Sequence, residues 1–348
     1  MRALLVGVVL GTTMVASVAA AAGNPPGVRV IHTKEIIESF AIGGSRIAYD
    51  LRGSLTCNKV LVRDLRTGKT TRVSGKQTCS ADSTSTGAGV RELAVAGNRI
   101  AWIVNLGGNT ESDDYLYTAS LPRPNERRLA ASRRLGDVDG VLAGTWIANL
   151  VASGNLLAVN RWSTDKGGTV IRAAVDVIAG NRLRRAVSKR IPIVGQAADS
   201  GRIAVLYGDS SVEIYGADGT RLRRFTPSSA REIALRGDYL LVLTEAQTLE
   251  VYNARTGAYL RTWQVQARTA AELDAYAGVA IYVAYPRYTP QSFKIHALQL
   301  KTGKDVVVAS GNFQLRQSAE LEPPGLLYAR DRHNLVLMPL KRVLAAVS

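Results

Sequence analysis

Short runs of apolar and alternating residues repeat along this chain, and the segment 231–266 shows the repeat most clearly. It contains four runs: REIAL (231–235), DYLLVLT (238–244), TLEVYNA (248–254) and AYLRTWQV (258–265). Gly237 and Gly257 lie in the turns after the first and third runs, where glycine supplies the positive φ of a tight hairpin. Four antiparallel strands in about forty residues form one blade of a β-propeller.

The second strand of each predicted blade has a signature of glycine, one or two variable residues and an aliphatic pair. Its seven occurrences are GSRIAYD (44–50), GNRIAWI (97–103), GNLLAVN (154–160), GRIAVLY (201–207), GDYLLVL (237–243), GVAIYVA (278–284) and GLLYAR (325–330). They divide the chain into units at 35–74, 90–130, 141–188, 191–226, 231–265, 270–309 and 313–346. The sequence therefore predicts an all-β fold, a seven-bladed β-propeller in one domain at 28–348, with six or eight blades as alternatives.

The remaining segments fit this architecture. VRVIHT (28–33) alternates apolar and polar residues, and we expect it to close the ring by pairing with the last unit. The polar segments 80–89, 107–114 and 163–168 predict solvated loops. No stretch predicts a sustained helix, including the basic one around Lys341 and Arg342, because the helical runs are short or lack caps.

A turn with Thr-Gly or Asp-Gly recurs between the third and fourth strands, at 66–68, 217–219, 255–257 and 301–303. With these turns, VLVRDLRTGKTTRVS (60–74) and LEVYNARTGAYLRTW (249–263) resemble the repeats of TolB-type and quinoprotein-type propellers. The resemblance covers almost the whole chain after the N-terminus, and it implies a propeller fold. The adjacent-cysteine pair of the quinoprotein enzymes is missing from the sequence, so the resemblance implies no cofactor site.

The N-terminus predicts export. Arg2 precedes an apolar run from Ala3 to Val18, and Ala20-Ala21-Ala22 offers a small-residue cleavage site, so residues 1–22 form a predicted signal peptide. We expect the mature chain to be secreted, extracellular or periplasmic, with no transmembrane segment. In such an oxidising compartment the two cysteines, Cys57 and Cys79, most simply form one disulfide.

The formal net charge of +16 favours acidic partners such as anionic envelope polymers or lipid head groups, although we do not expect nucleic acid. The arginines have a second explanation, because clusters of them begin the predicted fourth, outermost strands. Charged side chains there keep an exposed strand edge from pairing with another molecule. The clusters are Arg127-Arg128, Arg182 with Arg184-Arg185, and Arg221 with Arg223-Arg224.

The sequence contains few candidates for catalysis. The three histidines lie far apart in sequence, and Glu111, Asp113 and Asp114 lack the residue order of a calcium loop, so we predict neither a metal nor a cofactor. A tyrosine-rich segment of the sixth unit suggests either a contact surface or a hydrophobic loop anchor. Its residues are Tyr282, Tyr285, Arg287 and Tyr288.

A glutamate recurs just ahead of the repeat signature, at the start of the innermost strands. The recurring residues are Glu38, Glu92, Glu232, Glu272 and Glu320. Because the ring closes, these carboxylates are expected to form an arc at the mouth of the central channel, where they would bind a cation or a ligand with a cationic group. The alternative is structural, with Arg91, Arg231 and Arg316 pairing with the acids and locking neighbouring units together.

The sequence therefore indicates a secreted, non-catalytic propeller that binds a protein, a cell-wall polymer or a small ligand. An enzyme remains the alternative. A hydrolase or lyase with its active site at the channel mouth would use two of the glutamates as acid and base, about 5–10 Å apart.

Overall fold

The computed structural model describes residues 27–54, 57–75, 87–107, 111–136, 142–267, 269–286, 292–312 and 318–348. This part of the chain contains 28 strands and one helix. The predicted signal peptide (1–22) and Cys79 lie outside the described residues, so the Cys57–Cys79 disulfide stays a prediction.

The strands follow the order that the repeat predicts. The first strands of the units are β2 (Phe40–Gly43), β6 (Gly87–Ala96), β10 (Leu142–Ser153), β14 (Ile193–Asp199), β18 (Ala230–Arg236), β22 (Ala270–Tyr276) and β26 (Ala319–Glu322). The second strands, which carry the aliphatic signature, are β3 (Arg46–Ser54), β7 (Arg99–Gly107), β11 (Leu156–Thr164), β15 (Arg202–Tyr207), β19 (Tyr239–Thr244), β23 (Val279–Ala284) and β27 (Gly325–Asp331).

The third strands are β4 (Cys57–Asp64), β8 (Glu111–Ser120), β12 (Val170–Ala179), β16 (Val212–Gly216), β20 (Thr248–Asn253), β24 (Phe293–Gln299) and β28 (Asn334–Pro339). The outermost strands are β5 (Thr70–Arg72), β9 (Arg127–Gly136), β13 (Arg182–Lys189), β17 (Arg221–Phe225), β21 (Tyr259–Gln264), β25 (Asp305–Gly311) and β1 (Arg29–His32). β1 pairs antiparallel with β28, with Arg29 opposite Leu337, which confirms that the segment 28–33 completes the last unit.

Neighbouring strands pair antiparallel within each unit, and the second and third units share one eight-stranded sheet because β9 also pairs with β10. Each first strand contacts the first strands of the units before and after it, and β26 contacts β2. The units therefore stand in a closed ring with their first strands at the centre.

The buried apolar residues lie between neighbouring units. Ala41 of the first unit packs in one cluster with Trp102 of the second. The cluster that closes the ring combines Ile31 and Leu337 with Phe40 and Ile47. Apolar residues alternate or run continuously along the strands because each sheet is covered on both faces by the next.

The Thr-Gly turns have the predicted hairpin geometry. In the first unit, Asp64 Oδ1 accepts hydrogen bonds from the backbone amides of Arg66 and Thr67, at 2.9 and 3.0 Å. Asn253 Oδ1 does the same in the fifth unit. Gly257 follows with φ +85°, a conformation that favours glycine. In these two turns the residue before the turn thus satisfies its amides, which explains why that position is Asp or Asn.

The prediction of no sustained helix is wrong at the C-terminus, where Leu340–Val347 forms α1. The helix starts at Pro339 without a side-chain cap, so the sequence lacks the usual signal. Val343 and Val347 are buried in the cluster of the sixth and seventh units, beside Phe293 and Met338. Tertiary packing of this apolar stripe stabilises the helix in place of a cap.

The prediction that 107–114 is a solvated loop is wrong for Glu111–Asp114, which begin strand β8. Alternation along the strand turns Asp114 to the inside, where it is fully buried. Its carboxylate accepts hydrogen bonds from Arg134 and Asn105, and the Arg134 guanidinium lies 3.9 Å from the centre of the Trp146 ring. These contacts support the long strands of the second and third units.

A substitution at Gly43 can test how tightly the first strands of neighbouring units pack. A Cβ on Gly43 would lie 2.3 Å from the carbonyl oxygen of Val95 in the next unit, whereas a Cβ on Gly195 would meet its nearest atom at 3.6 Å. We expect Gly43→Ala to lower the free energy of unfolding by about 1–3 kcal/mol through overpacking. Gly195→Ala is the matched control and should change it little. Urea denaturation of both variants measures the difference, and equal midpoints would contradict the proposed contact.

Candidate functional site

A cavity of about 400 Å³ lies on the axis and is lined by the first strands. These strands run in the same direction, so one end of the cavity, here called the mouth, collects the residues at which they begin. The other end collects the turns between first and second strands. Because strands alternate in direction, the turns between third and fourth strands lie at that end too, and we call it the turn face.

β-Bulges interrupt the first strands of the second to sixth units near the mouth. The pairing with the second strand shifts at Arg91, at Asn149–Leu150, at Val194, at Arg231 and at Glu272–Leu273. Residues within a bulge lose their partner in the ladder, so their amides need another acceptor.

Carboxylates from the preceding unit accept hydrogen bonds from these first strands. Glu92 accepts one from the amide of Leu150 (2.7 Å), and Glu232 accepts one from the amide of Leu273 (3.1 Å). Glu272 accepts from the amides of Ser318 and Ala319. Each acid therefore fastens its unit to the next one around the ring.

A second layer of such contacts lies deeper in the channel. Asp274 accepts a hydrogen bond from the amide of Leu321 at 2.7 Å, and Glu320 accepts one from the amide of Ile42 at 2.8 Å. The last contact joins the seventh unit to the first. A carboxylate-to-amide hydrogen bond therefore also joins the seventh and first units, where the ring closes.

The structure brings four of the five predicted glutamates to the channel but places them at two depths. Glu92, Glu232 and Glu272 stand five residues before the turn, and Glu320 stands three residues before it. Glu38 is not among the residues that line the cavity, and it pairs instead with Arg52 at 2.8 Å. The arc is therefore shorter than its sequence spacing suggested, because Glu38 lies one residue ahead of the shared position.

The structural alternative holds in part. The acids do join neighbouring units, but mainly through backbone amides and not through the predicted arginines. Arg91 contacts Glu92 at 3.4 Å and also Asp114 at 3.6 Å. No ion pair of Arg231 occurs among the described residues, and Arg316 lies outside them.

Burial raises the pKa values of three of the channel glutamates. The pKa of Glu272 rises to about 7, although hydrogen bonds from Tyr285 and Ser318 oppose the shift. Burial also raises the pKa of Glu232. The pKa of Glu320 is raised well above its usual value, first by burial and then by the neighbouring charge of Asp274.

Arg236 closes the channel at the turn face, a role that the sequence did not reveal. Its guanidinium donates to Glu322 at 2.6 Å and to the carbonyl of Ala275 at 2.8 Å, and it lies 3.6 Å from Asp199. These partners belong to the seventh, sixth and fourth units, so the side chain of a fifth-unit residue reaches across the axis. Arg236 therefore occupies the axis at the turn-face end of the cavity.

The tyrosine segment of the sixth unit is structural where it is described. Tyr282 is fully buried and stacks on His296 with ring centroids 4.8 Å apart. Tyr285 donates to Glu272 and contacts Ser318 at 3.1 Å. Arg287 and Tyr288 lie outside the described residues. This arrangement favours the loop-anchor interpretation over a contact surface.

Two searches of the described residues bear on the type of site. In this part of the chain, no three His, Cys, Asp or Glu side chains come close enough together to hold a metal ion. Within the same residues, none of the helical structure has the length and apolar character needed to cross a membrane.

Solved structures resemble this chain over nearly its full length. The WD40 β-propeller domain of Doa1 is 11% identical, with 90% of this chain and 95% of that chain covered and a TM-score of 0.53. A chain of the mitotic checkpoint complex is 15% identical, with 96% and 97% covered and a TM-score of 0.54. The chain has the β-propeller fold. No protein-family model and no curated protein matches the sequence of this propeller.

The pKa of Glu272 predicts a pH dependence of stability. Because the folded state raises this pKa from 4.5 to about 7, its contribution is fully present below pH 4.5 and is lost as the pH rises to about 7. We expect this group to remove about 3 kcal/mol of stability over that range. Glu272→Gln should lack this pH-dependent part of the stability, because an amide does not titrate. The amide can still accept from Ser318 and contact Tyr285.

The measurement is urea denaturation of both proteins at several pH values between 4.5 and 8. Glu245→Gln, at an exposed position, is the control and should follow the wild-type pH dependence. Parallel curves for wild type and Glu272→Gln would contradict the assignment.

Proposed function

We propose that this protein is an exported, seven-bladed propeller of the TolB-like or quinoprotein-like kind that binds a partner protein at the channel mouth and does not catalyse a reaction. The observation that carries this proposal is the use of the channel carboxylates. Glu92, Glu232 and Glu272 are engaged by backbone amides of the neighbouring units. Acids held in this way build a rigid rim and are poorly placed to exchange protons with a substrate.

The composition of the mouth favours a protein partner over a small ligand. Val194 stands in a bulge at the mouth and is 53% exposed, and Arg231 occupies the equivalent bulge of the next unit. Arginine is enriched in protein interfaces, and the buried core of such an interface is more apolar than the rest of the surface. Arg231 also suits an acidic group on the partner, whereas the acids that the sequence assigned to a cationic ligand contact amides.

The first strands extend to different heights around the mouth, and this asymmetry would orient a bound partner. β10 begins at Leu142, but its first residue that lines the cavity is Asn149. The first strand of the third unit therefore extends past the cavity on the mouth side. Its pairing with β9 makes this extension part of a continuous sheet. We propose that this raised edge forms one wall of the binding site.

An enzyme is the second candidate, and Glu272 is the observation that favours it. This residue is a buried carboxylic acid with a pKa of about 7, in contact with Tyr285 and Ser318, and its backbone has a strained φ of +57°. A carboxyl group with such a pKa can act as a general acid near neutral pH. Release of reducing ends from a panel of polysaccharides, lost in Glu272→Gln, would support a hydrolase.

Photocrosslinking can test the binding site directly. A photoactivatable residue at Val194 samples the mouth, and one at Val307 samples the outermost strand of the sixth unit with a similar exposure of 50%. We expect discrete adducts with one protein of the native extract from position 194 and none of them from position 307. Adding Arg231→Glu should reduce the adduct yield at least tenfold, since the charge reversal repels an acidic group.

The outcomes separate the two candidates. Equal adducts at positions 194 and 307, or adducts that survive Arg231→Glu, would overturn the mouth as the binding site. Polysaccharide cleavage without mouth-specific adducts would favour the enzyme.

A further inference from the structure

Arginine side chains form hydrogen bonds between neighbouring units along the turn face. Each donates a hydrogen bond to a backbone carbonyl in a turn of the following unit. The pairs are Arg29 to Leu65 (3.0 Å), Arg46 to Gly97 (2.7 Å), Arg99 to Asn155 (3.3 Å), Arg184 to Ala217, Arg202 to Gly237, Arg223 to Arg255 (2.6 Å) and Arg261 to Lys301 (2.8 Å). Arg184 and Arg223, from the clusters at the starts of outermost strands, therefore join neighbouring units, as do Arg46, Arg99 and Arg202 at the starts of second strands.

Among the described residues, only Arg202 of these seven arginines also forms an ion pair, with Asp199 at 3.3 Å. The contacts of the other six pair their positive charge with no carboxylate. A carbonyl oxygen is a neutral acceptor, so a guanidinium bound to it keeps its full charge, unlike one paired with a carboxylate. All the carbonyls lie in turns at the same end of the ring. These contacts thus concentrate cationic groups on the turn face, and several of the hydrogen bonds are exposed to solvent.

Other groups on this face increase the charge. Exposed basic side chains stand in or beside the turns, at Arg66, Lys69, Arg123, Arg182 and Lys301. The nearby acids offset only part of this charge, because they are fewer. Asp64 and Asp218 accept hydrogen bonds from backbone amides of their own turns and keep their negative charge, and Asp238 pairs with Arg255. The turn face is therefore a broad basic surface, while acids and bases are mixed at the mouth.

Exposed apolar side chains adjoin this basic surface in the fourth and fifth units. Leu222, Tyr259 and Leu260 are 42%, 57% and 41% exposed. Aromatic rings pack between the two units beside these side chains: Phe225 contacts Tyr252 of the fifth unit, and Tyr252 contacts Tyr259, with ring centroids 5.6 and 5.5 Å apart. Leu222 and Leu260 are each the extra residue of a bulge in an outermost strand. A bulge re-aims the side chain, here towards solvent.

We propose that the turn face docks on an anionic phospholipid bilayer, with Tyr259, Leu260 and Leu222 entering the interface beside the arginines. Basic groups dispersed over one face match the spread charge of a lipid surface. Exposed leucine and tyrosine next to arginine suit the boundary between head groups and acyl chains. This contact would leave the channel mouth facing away from the membrane and free for its own partner.

Vesicle co-sedimentation tests the proposal with matched charge reversals. The turn-face variant combines Lys69→Glu, Arg182→Glu and Lys301→Glu. The control combines Lys166→Glu, Arg172→Glu and Lys294→Glu, which are exposed positions towards the mouth and change the net charge equally. For vesicles of phosphatidylglycerol and phosphatidylcholine, we expect the turn-face variant to lose roughly a hundredfold in partitioning and the control much less. Vesicles of phosphatidylcholine alone should not bind the wild type.

A second variant separates lipid from a soluble polyanion. Tyr259→Ser with Leu260→Ser should reduce binding to the anionic vesicles and leave binding to inorganic polyphosphate unchanged. Equal losses in the two charge-reversal variants would overturn the assignment to the turn face. Polyphosphate binding without vesicle binding would overturn the lipid as the ligand. Circular dichroism melting of each variant establishes that the ring is intact.

Discussion

The structure depends on apolar faces that no single unit can cover. Each four-stranded unit leaves apolar residues on both faces, and the buried clusters combine residues of two neighbours. Burial of apolar surface is the dominant favourable term in folding, at about 25 cal/mol per Å². Removing one unit would expose two such faces and open the ring. The polar contacts on the axis and on the turn face act on units that this packing has already brought together.

Two sets of polar contacts fix the register between neighbours, one at each end of the ring. At the mouth, bulges free backbone amides and carboxylates accept their hydrogen bonds. At the turn face, arginines donate to carbonyls that the turns leave unpaired. The contacts at the mouth satisfy buried backbone amides, and leaving such a group without a partner costs about 1–3 kcal/mol. At the turn face several of the carbonyls are exposed, so the arginines there mainly add contacts between neighbouring units. The guanidinium groups keep their positive charge, whereas burial raises the pKa values of Glu232, Glu272 and Glu320, so the two ends differ in electrostatic character.

The sequence predicted the strands well because their physical signals are local. Alternation of apolar residues, the aliphatic pair after Gly237 or Gly278 and the Asp or Asn before a Thr-Gly turn each act within a few residues. Helix α1 could not be predicted from such signals, since Val343 and Val347 gain their burial from two distant units. The acidic arc was predicted only in part. Bulges shift the count along a strand, so sequence spacing placed Glu38 and Glu320 one or two residues from the shared position. Arg236 looked like an ordinary turn residue, because its partners come from three other units.

The pairing of β1 with β28 has a consequence for how the chain is made. The strand that completes the last unit is among the first parts of the ring to leave the ribosome, and its partner is among the last. Contacts between such distant parts of a chain form slowly, because the chain loses the entropy of closing the intervening loop before the contacts stabilise it. Until β28 has been made, β1 has no partner edge and the ring stays open. Closure of the ring therefore awaits β28, whatever the earlier units have already formed.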